Sequence, residues 1–171
     1  MSRPGAQGLQ PWRWIGLPAL AAIAATVILA APFRLFGFGL PEPLFPMVLA
    51  FSWAVIRPSL LGPLALLAVG LFYDLFWGGP LGLWALALIS AYGLALGGRS
   101  LMAGQGGVVM GAWYGAACCL ALGIAYLFAT LVAHEQPSIA AVIWQLFWTA
   151  ILYPVAYKLI DRFEDADIRF R

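Results

Sequence analysis

One carboxylate sits where the chain is otherwise apolar. In Gly70-Leu71-Phe72-Tyr73-Asp74-Leu75-Phe76-Trp77-Gly78-Gly79-Pro80-Leu81-Gly82, Asp74 is the only acidic residue inside any long apolar run. A charge at membrane depth is costly and has to find a partner, which makes Asp74 a functional candidate by default. The stretch reads as an apolar helix with Asp74 in its last turn, broken at Gly78 and Gly79. A second apolar helix then opens at Pro80, a residue suited to a first helical turn. Two roles are open to the carboxylate. It can clasp the two helices by accepting hydrogen bonds from the free N–H groups near Gly79 and Leu81. It can instead serve directly in a partner or ligand site. The C-terminal end of a helix disfavours an anion, so the expectation is a carboxyl either held by those N–H groups or partly protonated.

The remaining chemistry-bearing residues exclude more than they suggest. His134 is the one histidine and lies in the polar loop His134-Glu135-Gln136-Pro137-Ser138, where a solvated side chain is expected rather than a proton relay. Cys118 and Cys119 are adjacent within an apolar run, so no disulfide framework is indicated. No cluster of Cys, His and acid residues has the spacing of a transition-metal site. Phosphate loops, dinucleotide fingerprints and nucleophile elbows are also missing. One carboxylate and one distant histidine do not supply a nucleophile, a base and an orienting group. The expectation is a protein that is not an enzyme and needs no cofactor or metal. Nucleic acid is not an expected partner, because no basic patch exists to neutralise phosphates.

Composition names the medium in which these residues act. With 64% hydrophobic and 9% charged residues, a water-soluble fold would lack the polar surface to cover itself. The apolar residues come in runs of about 15 to 25, the length of bilayer-crossing helices, and without the alternation of a barrel. The expected fold is therefore an all-α integral membrane protein, a bundle of about six transmembrane helices. A lead over residues 1–13 precedes a six-helix domain over 14–160, and a densely charged tail fills 161–171.

The spans are expected at Trp14–Pro32, Leu44–Ile56, Ser59–Trp77, Pro80–Leu96, Gly107–Ala133 and Ile139–Ile160. The second covers only about 20 Å, less than a hydrocarbon core, and suggests a thin or partly re-entrant helix shielded by its neighbours. Pro46 belongs in its first turn, and Arg57-Pro58 ends it. Residues 97–106 read as a Gly-rich loop holding Arg99. Gly107, Gly111, Gly115, Cys119 and Gly123 recur every four residues and lay a stripe that lets membrane helices approach closely. Ser138 is placed to cap the sixth span.

Six spans put both termini on one side. With the termini in the cytoplasm, Arg3, Arg13, Arg57, Arg99, Lys158, Arg162, Arg169 and Arg171 all lie inside and only Arg34 outside. This topology sets Asp74 near the outer face, at the depth expected for Thr130 and Gln145, which could hydrogen-bond it, and for Arg34, which could supply a charge.

The order of these features resembles the rod shape-determining protein family MreD. The shared pattern is Pro46 opening the second span, Trp53 in its middle and Pro58 after it. It continues with Gly70, Asp74 four residues on, then Gly79, Pro80, Leu81 and Gly82 followed by Leu83-Trp84-Ala85-Leu86. Ser52 departs from the pattern, since the family often carries an aromatic before the tryptophan. The resemblance implies a non-enzymatic protein of the bacterial inner membrane and of the elongation machinery. Its implied partners are the bitopic protein MreC, the actin-like MreB, and the membrane transpeptidase and glycosyltransferase that build lateral wall. The family is also thought to share its helical fold with substrate-binding subunits of vitamin uptake transporters, a relation that carries fold and not function.

Two readings follow. The first is a scaffold that binds an MreC-like protein and membrane lipid and positions wall synthesis. Its structural or partner-contact candidates are Trp53, Pro58, Gly70, Asp74, Gly78, Gly79, Pro80 and Gly82. The second is a small-molecule-binding subunit of a vitamin-type transporter. That reading needs an intramembrane pocket with several polar groups, and besides Asp74 the spans offer only isolated ones such as Ser52, Ser90, Thr130, Gln145 and Thr149.

Overall fold

The fold comes from a computed structural model, which describes residues 15–35, 43–56, 58–132, 134 and 137–168, with the side chains of 29–35 and 163–168 excepted. The described residues form seven helices: α1 (Leu17–Leu35), α2 (Pro46–Ile56), α3 (Leu61–Trp77), α4 (Leu83–Met102), α5 (Gly107–Leu131), α6 (Ile139–Ile151) and α7 (Tyr153–Ile168). No strand occurs among them. Among the described residues three stretches are long and apolar enough to cross a membrane: Leu83–Met102, Gly107–Leu131 and Ile139–Arg162, the last running through α6 into α7. Shorter apolar helices cover Leu17–Ile28, Pro46–Ile56 and Leu61–Trp77.

The shortest helix lies at the centre. In α2 every residue from Pro46 to Ala54 is buried, as expected of a helix apolar all round. It packs against α4, α7, α3 and α1, so the shielding expected of a short second span is present. Pro46 starts it, at the position where a missing N–H costs nothing. Phe51 meets Tyr114 of α5 edge-on, with centroids 5.3 Å apart.

The most extensive pairing is between α4 and α5. Both helices bury small residues, Ala91 and Ala95 in α4 and Ala117 and Ala121 in α5, the type that lets membrane helices come close.

Several boundaries differ from the sequence expectation. The first helix runs past Pro32 to Leu35, so the main chain at Arg34 is helical and not loop. The fourth helix begins at Leu83, not Pro80, because Gly82 takes a left-handed conformation (φ 95°) and a turn occupies Pro80–Gly82. The same helix runs on to Met102, so Gly97, Gly98 and Arg99 are helical and not a loop. Gly98 serves packing there, since a Cβ on it would lie 2.5 Å from the Trp113 ring. The sixth span is interrupted at Leu152, after which Pro154 supplies no N–H to the preceding turn. Helix α7 then continues to Ile168, through the first part of the charged segment 161–171.

Candidate functional site

The site is built by the way α3 ends. Gly78 adopts φ 68°, ψ 24° and its N–H bonds the carbonyl of Asp74, the common left-handed stop of a helix. The N–H of Gly79 reaches the same carbonyl at 3.0 Å. The main chain of Asp74 thus closes its own helix while its side chain serves the next one.

That side chain is fully buried. Its Oδ2 accepts the N–H of Gly82 at 2.7 Å and its Oδ1 accepts the N–H of Trp84 at 2.9 Å. Both donors are opening amides of α4, which a helix leaves without internal partners. Gly82 stands at the N-cap and has no side chain to satisfy them. Asp74, eight residues back, acts as the cap in its place. Negative charge is favoured at a helix N-terminus, and bonds from N–H to a carboxylate are stronger than neutral ones.

Gly70 sets the distance that this bond needs. A Cβ at position 70 would lie 2.3 Å from Ala85 Cα and 2.5 Å from Ala85 N, so only glycine admits the α4 backbone here. Gly70 and Asp74 are one helical turn apart and share a face of α3. The first lets α4 approach, and the second holds its N-terminus. Tyr73, next to Asp74, anchors α3 to α1 through a hydroxyl contact with Thr26.

Of the two roles open to Asp74, the geometry is that of the clasp. The donors are Gly82 and Trp84; Gly79 gives its N–H to the Asp74 carbonyl instead, and Leu81 is exposed in the turn. Thr130, one of the expected partners, is turned to its own helix. The Thr130 hydroxyl contacts the carbonyls of Tyr126 and Leu127 in its own helix, at 3.0 Å each. Arg34's side chain lies outside the described residues. Pro80 contributes its carbonyl, 3.3 Å from the N–H of Leu83. Trp53 is buried in α2 and Pro58 is exposed just past it.

The small-residue stripe of α5 divides in two. Gly107 and Gly111 face Tyr153 of α7, and a Cβ on Gly111 would come within 3.2 Å of that ring. The Tyr153 hydroxyl donates to the Gly107 carbonyl. Gly115 and Gly123 meet nothing within 4 Å, and Cys119 is exposed while Cys118 is buried.

Two connections carry no signal in residue type. Thr149 Oγ1 donates to Gln145 O at 2.7 Å and accepts the N–H of Leu44 at 3.1 Å, while its carbonyl accepts the Tyr114 hydroxyl at 3.1 Å. Arg99, in the last turn of α4, donates from Nε to the Val55 carbonyl at 2.9 Å. An apolar helix end and a lone threonine look ordinary in sequence; only the fold brings their partners together. Ser52 similarly uses its hydroxyl on a main-chain carbonyl, that of Ala156, at 3.4 Å. Among the described residues no group of three or more His, Cys, Asp and Glu side chains is placed to hold a metal ion.

Set against protein-family models, curated proteins and solved structures, the chain matches none of them.

Proposed function

We propose that the chain is a non-catalytic, multi-pass scaffold of the bacterial cytoplasmic membrane, with both termini in the cytoplasm, acting in rod-type cell elongation as the MreD family does. Its proposed partners are an MreC-like bitopic protein, and through it the actin-like filament and the transpeptidase and glycosyltransferase of lateral wall synthesis. The observation that supports this reading is the convergence of the residues that carry the resemblance. Gly70, Asp74 and Gly82 meet in one mechanical unit, which fixes the junction of α3 and α4. A junction held that firmly suits a protein whose work is to present a surface of constant shape.

The test is a pull-down from detergent-solubilised native membranes, with the wild-type chain and Asp74→Ala compared at matched abundance. Recovery of an MreC-like protein with the wild type, reduced in the variant, is the expected result. Recovery of an energy-coupling ATPase module without any wall-synthesis protein overturns the scaffold in favour of a transporter subunit.

A further inference from the structure

Alongside α2 lies an open groove of about 730 Å³, walled by α1, α2 and α7. Its volume falls in the range of sites that hold ligands of drug size, about 300–1,000 Å³. Among the described residues every lining side chain is apolar except one: Ala21 and Ala25 of α1, Phe45 and Val48 beside and on α2, and Leu152 and Val155 line it, and Arg162 stands at one end. From Leu152 to Arg162 the α7 wall advances about 15 Å at the helical rise, which is about half the thickness of a hydrocarbon core. The groove is thus one leaflet deep, closed by apolar walls and marked by a guanidinium at its mouth.

That distribution has the polarity of a phospholipid. Arg162 ends the apolar stretch Ile139–Arg162, at the level where arginine meets headgroups, and a guanidinium is matched in shape to a phosphate. Lys158, one turn earlier, is also exposed, with Asp161 exposed beside Arg162. The small alanines of α1 leave room in the groove that larger residues would have filled. A water-soluble ligand would find no hydrogen-bonding partner along those walls, and a neutral hydrocarbon would have no use for the cation.

We infer that this groove binds one anionic phospholipid of the cytoplasmic leaflet, with an acyl chain between α1 and α7 and the headgroup phosphate on Arg162. The inference rests on the membrane embedding and orientation proposed above, and does not depend on the wall-synthesis role.

The test uses the full chain purified in mild detergent and offered phosphatidylglycerol or phosphatidylcholine, with bound lipid counted by native mass spectrometry. Wild type is expected to retain one phosphatidylglycerol in preference to phosphatidylcholine. Arg162→Gln should cut that preference about fivefold, the worth of one basic group near an anionic surface. Ala21→Trp, which fills the groove from an exposed position, should abolish retention of both lipids. Lys158→Gln should leave the count unchanged. Equal retention of the two lipids, or an Arg162→Gln chain that keeps the wild-type preference, overturns the inference. So does a dimer that Ala21→Trp dissociates, since a second copy of the chain would then be the occupant. Resistance of the protein to alkaline extraction from membranes reports embedding separately, so a failed lipid test is distinguishable from a failed membrane reading.

Discussion

Two junctions interrupt the apolar helices, and they are held by opposite means. Between α3 and α4, a buried carboxylate grips main-chain amides eight and ten residues further on. Between α6 and α7 the chain changes step at Leu152, and the nearby polar contact is a neutral one. Thr149 holds the N–H of Leu44, 105 residues away. The first junction is local and charged, and the second is remote and uncharged. The surroundings differ in the same sense: 44% of the most apolar stretch of α4 is buried, against 11% of the stretch that α6 and α7 form. Both anchoring side chains are nonetheless fully buried, Asp74 and Thr149 alike. The carboxylate stands where two main-chain donors converge, and the hydroxyl, which also satisfies itself within its own turn, where there is one.

The α3–α4 junction is most sensitive at Gly70. Gly70→Leu drives a side chain into the Ala85 backbone, which has no room to yield; loss of a monodisperse peak in size-exclusion chromatography is expected. Asp74→Ala comes next. It leaves two enclosed N–H groups without an acceptor, at about 1–3 kcal/mol each, so a large drop in melting temperature in detergent is expected. Asp74→Asn keeps one acceptor oxygen and should recover about half of that loss. An Asn chain as stable as wild type would mean that the charge is irrelevant and the contrast between the junctions is false. Thr149→Val removes the acceptor for the Leu44 N–H and should cost about 1–3 kcal/mol. Its effect should be insensitive to changes at Asp74, so that the double variant is additive within about 0.5 kcal/mol. The smallest effect is expected from Pro154→Ala, which restores a backbone donor at the α6–α7 step; a shift within about 1 kcal/mol, read from the same melting curves, is the expected outcome.

How far the sequence discloses this arrangement depends on what kind of residue carries it. Asp74 is conspicuous because it is alone, and its role as a clasp between two helices is one of the two roles its setting allows. The donors lie three residues beyond the expected ones, because Pro80 has the chemistry of a helix start and yet Gly82, left-handed, is where the helix is launched. Gly97 and Gly98 look like a loop for the same reason that Gly98 is useful: a missing side chain permits both a turn and the close passage of Trp113. Type alone does not separate these uses. The stripe on α5 shows the limit from the other side. Its period is real, but only Gly107 and Gly111 find a ring of α7 to receive, while Gly115 and Gly123 face open space. The seventh helix is hidden because one proline near the middle of a long apolar run perturbs it without a change in composition.

The short central helix has a consequence for synthesis. A ribosome delivers Leu44 long before Thr149 exists, yet the N–H at the threshold of α2 depends on that threonine. Eleven residues cannot span a bilayer on their own. The second helix is thus started early and completed late, when the C-terminal segment folds back across it. A nascent chain stopped before residue 149 would carry its centre unfinished, and quality-control proteases of the membrane would meet an exposed amide where the mature protein has a sealed one.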